Sequence, residues 1–122
     1  MKKRHVLVIF VSVIYALSIV LNPLRRPVGN IRENILELTP IGSNMEDVMI
    51  VIKDNIKWRF MGGSYEYGYV NYTYAPGSRT VGVKHLTAEL GKSSYFWYVV
   101  VSWGFDENSK LIDVYVTKSL DI

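Results

Sequence analysis

Two histidines, eleven carboxylates and a dense group of tyrosines are the side chains here with chemistry to offer. There is no cysteine, which excludes a thiolate nucleophile, a disulfide and Cys-ligated zinc. His5 sits beside Lys2, Lys3 and Arg4 ahead of an apolar run, so His85 alone is placed for site chemistry. His85 and Glu89 share a face in either a helix or a strand, with Thr87 between them. Zinc takes three or four ligands, so this pair reads as part of a solvated sheet face. A Ser-His-Asp set can be written from His85, a serine, and Asp106 or Asp113. However, the sequence has no nucleophile elbow and no oxyanion glycine motif. Glu46-Asp47 suit the start of a helix and Asp106-Glu107 a turn, whereas glycoside hydrolysis needs two carboxylates facing across a cleft. Gly62-Gly63-Ser64 lacks the Lys-Ser/Thr that would make it a phosphate loop. No catalytic residue, metal or cofactor is assigned, and the expectation is a protein that is not an enzyme.

The tyrosines are the remaining feature. Tyr65, Tyr67, Tyr69, Tyr72 and Tyr74 fall within ten residues, in a chain with nine Tyr, three Trp and four Phe. An exposed row would offer rigid faces for stacking on cell-wall glycan, or for the hot spot of a protein partner. The plainer alternative is a half-buried pleated surface with packed rings and wet hydroxyls. These five residues form the candidate ligand or partner surface. Asn71-Tyr72-Thr73 fits a glycosylation acceptor and reads as a chance match.

The elements that position these residues fall in a domain over 27–122, helices first and strands after. Asn30 can cap a short helix, IRENILEL, with Ile31, Ile35 and Leu38 on one face; Thr39-Pro40-Ile41-Gly42 ends it. Ser43-Asn44-Met45-Glu46 fits a capping box, with Ser43 as cap and Glu46 reaching back. Met45, Val48, Met49, Ile52 and Ile56 then form an apolar stripe on a helix from Asn44 to about Asn55. Beyond Ile56 the period becomes two. Trp58 and Phe60 lead to a turn at Gly62-Gly63-Ser64, and the tyrosines alternate until a slip near Val70-Asn71, the mark of a β-bulge.

Leu86, Ala88 and Leu90 alternate with His85, Thr87 and Glu89 before Gly91, favouring a strand over a helix at Val83–Leu90. Ser94 to Trp103, SYFWYVVVSW, reads as a central strand, the segment from Gly104 to Lys110 as a turn, and Leu111 to Lys118 as its antiparallel partner. In this last strand Leu111, Asp113, Tyr115 and Thr117 are expected on one face, Ile112, Val114 and Val116 on the other. The fold class is therefore α+β: one or two helices packed on a four- to five-stranded antiparallel meander.

Two segments, PIGSNMEDV and FDENSKLIDVYV, resemble the small envelope domains of the SmpA/OmlA (BamE-like) type, and the related β-lactamase-inhibitor-protein-like fold. Gly42-Ser43 matches the helix-opening motif, and Trp103, Phe105, Asp106, Glu107 and Leu111 match the closing hairpin, across residues 36–118. Ser109 stands where that hairpin has glycine, and the chain has no lipobox cysteine. The resemblance implies a non-enzymatic envelope protein that acts by binding others.

The N-terminus carries the address. VLVIFVSVIYALSIVL runs from Val6 to Leu21 without a charge. As a helix it spans about 24 Å against a hydrocarbon core of about 30 Å. Ala16-Leu17-Ser18 is the one small-residue cleavage candidate, and cutting there would leave Ile19, Val20 and Leu21 on the new end. An uncleaved signal anchor over residues 1–26 is the favoured reading, secretion after cleavage the alternative. The three basic residues ahead of Val6 favour a cytoplasmic N-terminus with the domain outside, a single pass through the cytoplasmic membrane. Pro23 and Pro27 stop the helix in the linker. Five of the fourteen Lys and Arg lie in residues 1–26, which hold no acid. Residues 27–122 then carry nine bases against eleven acids, a net of −2, so the domain has no electrostatic case for nucleic acid. The expected partners are the bilayer, through Val6–Leu21, and an envelope protein or the cell wall.

Overall fold

The change of hydrophobic period at Ile56 is a true boundary between helices and strands. A computed structural model of the chain describes residues 9–10, 12–13, 22–71, 78–94 and 97–120. A 3-10 turn at Pro23–Arg25 precedes helices α1 (Val28–Leu38) and α2 (Met45–Asp54). The strands are β1 (Arg59–Ser64), β2 (Tyr69–Asn71), β3 (Arg79–Val81), β4 (Lys84–Ser94), β5 (Trp97–Phe105) and β6 (Leu111–Leu120). Four of them form one antiparallel sheet in the order β1-β4-β5-β6, and β2 pairs with β3 in a separate ribbon inserted between β1 and β4. The class is α+β, with a ribbon interrupting the expected meander.

One face of the sheet makes the core. Leu86, Ala88 and Leu90 of β4, Val99, Val101, Trp103 and Phe105 of β5, and Leu111, Val114 and Val116 of β6 are all buried. They pack against Ile31 and Ile35 of α1 and Met45, Val48 and Ile52 of α2. Each Val, Leu, Ile, Met or Phe among them contributes about 1.5–3 kcal/mol by leaving water. At the centre, the Trp103 indole N–H donates to the buried Thr39 hydroxyl at 3.1 Å. That hydroxyl donates in turn to the Ile35 carbonyl at 2.7 Å. Trp58 lies tilted against Trp103, ring centroids 6.3 Å apart.

Several local expectations are corrected. Helix α1 starts at Val28 behind Pro27, whose fixed φ suits helix entry, so Asn30 lies inside the first turn. Leu38 points to solvent at its end. The capping box does not form: Asn44 holds the cap position of α2 and makes no side-chain cap bond. Ser43 donates to the Pro40 carbonyl, and Asn44 accepts from Lys110. The start of α2 is tied instead by backbone bonds to the last hairpin: Gly42 N to Leu111 O, Leu111 N to Ser43 O and Met45 N to Ser109 O, at 2.8, 2.8 and 2.9 Å. Ile56 follows the end of α2 and is 98% exposed, so it is not part of the stripe.

The strands depart from the sequence expectation at the glycines. Gly62 and Gly63 lie inside β1, at a register shift after Phe60. Gly62 has φ +132, and a Cβ on Gly63 would stand 2.4 Å from the His85 carbonyl. These glycines let the strand bulge against β4; the chain bends at Tyr65-Glu66 instead. Strand β4 likewise continues through Gly91 with a shift in its ladder. Ser94 belongs to β4 and pairs with Trp97, so the central strand begins at Trp97. In β6, Phe105 pairs with Leu111 and Gly104 with Asp113, which leaves Ile112 as the extra residue. Leu111 is thereby buried beside Val114 and Val116, and Ile112 faces solvent.

Two stability outcomes follow. Thr39→Val keeps the shape and strands the Trp103 N–H, and should lower unfolding free energy by about 1–3 kcal/mol in urea melts. Ser109 has φ +61, a backbone conformation that a β-branched residue resists. Ser109→Val should therefore cost about 1–2 kcal/mol in the same assay, with Ser109→Asn costing less.

Candidate functional site

The tyrosines do not form one face. Tyr65 is 72% and Tyr67 62% exposed, whereas Tyr69 is 4% exposed. Tyr72 and Tyr74 lie outside the described residues. The bend after Ser64, where Glu66 N donates to the Ser64 hydroxyl at 3.0 Å, breaks the alternation. From Tyr69 the ribbon ladder runs Tyr69–Val81, Val70–Thr80 and Asn71–Arg79 without a shift, so the described pairs contain no bulge at Val70-Asn71.

The ribbon folds over the sheet face opposite the helices. Tyr69 stacks on Tyr115 of β6, 6.1 Å between centroids and 8° between planes. It fits because β5 has a glycine beneath it: a Cβ on Gly104 would lie 2.8 Å from the Tyr69 ring. Tyr67 packs on the His85 ring at 5.2 Å, and its carbonyl stands 2.9 Å from His85 Nδ1. Tyr69 is thus a structural clamp, and Tyr65 and Tyr67 remain as accessible rings.

The other constellations come apart in space. His85 and Glu89 are separated by about 13 Å of extended strand, and Glu89 is bonded to Arg59 at 2.6 Å. Asp113 pairs with Arg32 of α1 at 2.6 Å, and Arg32 Nε also reaches the Val114 carbonyl at 3.0 Å. Asp106 closes its hairpin, its carboxylate accepting from Asn108 N and Lys110 N at 2.8 and 3.0 Å. Glu46 and Asp47 occupy the first turn of α2. Among the described residues no three His, Asp or Glu side chains gather as a metal site.

What the sequence reading passed over is the uncovered half of the outer sheet face. Arg59 and Met61 of β1, Glu89 of β4, Tyr98 and Val100 of β5 and Ser119 and Leu120 of β6 line a shallow trough of about 660 Å³. The Arg59–Glu89 pair crosses it, and Lys92 Nζ stands 5.5 Å from the Tyr98 ring centroid. The signal was available: Tyr98, Val100 and Ser102 alternate with the buried Val99, Val101 and Trp103. Such a face, aromatic and polar with its charges paired, suits contact with another surface. Tyr65 borders a second groove with Met45, Met49 and Ile50 of α2.

No protein-family model matches the chain, and no curated protein or solved structure matches it either. The fold and site therefore stand on their own geometry.

The split among the tyrosines has a measurable consequence. Tyr69→Ala should destabilise the domain by about 3–5 kcal/mol, as for other buried aromatics. Tyr65→Ala and Tyr67→Ala should each stay within about 1 kcal/mol of the parent in thermal melts.

Proposed function

We propose that the protein is a membrane-tethered, non-enzymatic binding or assembly module of the cell envelope, its α+β domain outside the cytoplasm. Val6–Leu21 is its uncleaved anchor, and the sheet face around Tyr98 and Arg59 is its contact surface. Among the described residues no helix is long and apolar enough to cross a membrane. Of the anchor itself only Ile9, Phe10, Ser12 and Val13 are described, with helical backbone. The observation that carries the reading is that Ile9, Phe10 and Val13 are exposed rather than packed into the domain core. Apolar side chains in an unbroken run, left out of the core, fit a lipid surrounding. The resemblance to the BamE-like envelope domains points the same way. Its two motifs, Gly42-Ser43 and the Phe105–Leu111 hairpin, meet each other at the start of α2.

An epitope tag at Ile122, protease added to intact cells and the mass of the chain read in parallel test this proposal. Digestion from outside on a full-length chain is the expected result. Protection until lysis would place the domain in the cytoplasm and sink the proposal.

A second reading, binding of cell-wall glycan, draws on the exposure of Tyr65 and Tyr67. Here the solubilised chain should bind isolated cell wall and lose that binding in Tyr65→Ala and Tyr67→Ala. Retention of wall binding in both variants would remove the tyrosines from the reading.

A further inference from the structure

The linker after the apolar run is docked on the domain. Asn22, the residue that follows Leu21, donates its side-chain amide to the Lys92 carbonyl at 3.0 Å. It also accepts from Leu24 N at 3.1 Å, which sets the 3-10 turn. Leu24 packs against the core, and one of its methyls lies 3.4 Å from where a Cβ on Gly91 would stand. The segment that would leave the bilayer is thus fixed to the end of the sheet where β4 passes into β5.

That end is built from residues suited to a lipid–water boundary. Trp97, the first residue of β5, is 42% exposed, and its ladder partner Leu120 is 55% exposed. Around them stand Lys92, beside the Tyr98 ring, and Lys118, paired with Val99. Arg25 ends the 3-10 turn, and Arg26 follows it. Glu89, the nearest acid along β4, is held by Arg59. Tryptophan and basic side chains with apolar neighbours are the composition of interfacial belts, and basic groups near anionic headgroups add about 1 kcal/mol each. The other end of the sheet, at Asp106–Lys110, lies about 27 Å away along β5.

We infer that the Trp97–Leu120 end of the sheet seats in the headgroup region of the bilayer beside the anchor, fixing the domain upright on the membrane. The inference rests on the anchor reading above. Seated this way, the long axis of the sheet stands off the surface, and the Asp106–Lys110 hairpin is the part farthest from lipid. The trough around Tyr98 then opens sideways just above the headgroups, toward a partner held on the same membrane.

The absence of cysteine makes the test direct. Full-length Trp97→Cys, Leu120→Cys and Asn108→Cys chains each carry one thiol, to be labelled with an environment-sensitive fluorophore. Each is reconstituted in phosphatidylcholine–phosphatidylglycerol vesicles with or without brominated acyl chains. The expected result is co-flotation of all three, with blue-shifted emission and bromine quenching at 97 and 120 and neither at 108. Leu120→Cys guards against a folding defect at Trp97, since either label reports on the same end. Co-flotation without quenching at 97 or 120 overturns the seating and leaves the anchor intact. Equal quenching at 108 overturns it too, because the domain would then lie flat. Failure to float at all overturns the anchor reading and the seating together.

Discussion

The hydroxyl of Thr39 is the joint on which the two layers of this fold depend. The ring of Trp103 fills the centre of the core, and its N–H must find an acceptor where no water reaches. Thr39 supplies that acceptor from the cap position just after α1 and donates its own hydroxyl hydrogen bond to the Ile35 carbonyl. A single buried hydroxyl therefore fixes the rotation of α1 over the sheet as well as the position of the indole. Apolar contact alone would allow the helix to slide, since it is not directional. The hydrogen bond adds a direction to that contact.

The opposite face of the sheet is organised by an absence. Gly104 leaves a gap in β5, and Tyr69 fills it from the ribbon. The ribbon covers the Phe105 end and leaves the Trp97 end open, which separates a structural half of the face from an accessible half. The Arg32–Asp113 pair closes the other flank of β6, where Arg32 also bonds a strand carbonyl that would otherwise be open at the sheet edge. Surface ion pairs add little stability by themselves, so the value of this one lies in covering the edge.

How much of this could be read from the chain depends on how local the cause was. Strand β4 was legible because Leu86, Ala88 and Leu90 face a core while His85, Thr87 and Glu89 do not, a contrast visible over six residues. The stripe of α2 was legible for the same reason. Gly62-Gly63 was not, because the demand for glycine comes from the His85 backbone on another strand. Ser43 looked like a cap by its spacing, but its backbone is claimed by Leu111 across the fold. The tyrosine row kept its alternation through a bend, and alternation does not record which side of the chain the sheet lies on. Thr39 and Trp103, 64 residues apart, carry no local signal of their contact.

The bond from Asn22 to the Lys92 carbonyl also couples the chain entering the domain to the middle of the sheet. Asn22 and Leu24 touch β4, an inner strand with ladders to β1 and to β5, before the chain runs on into α1. Pulled from an edge strand, a sheet opens one pair at a time, like a zipper. Loaded through an inner strand, it must strain hydrogen bonds on both sides before any of them gives way. For as long as that bond and the Leu24 packing hold, a pull on the entering chain is shared with a strand that is laddered on both sides.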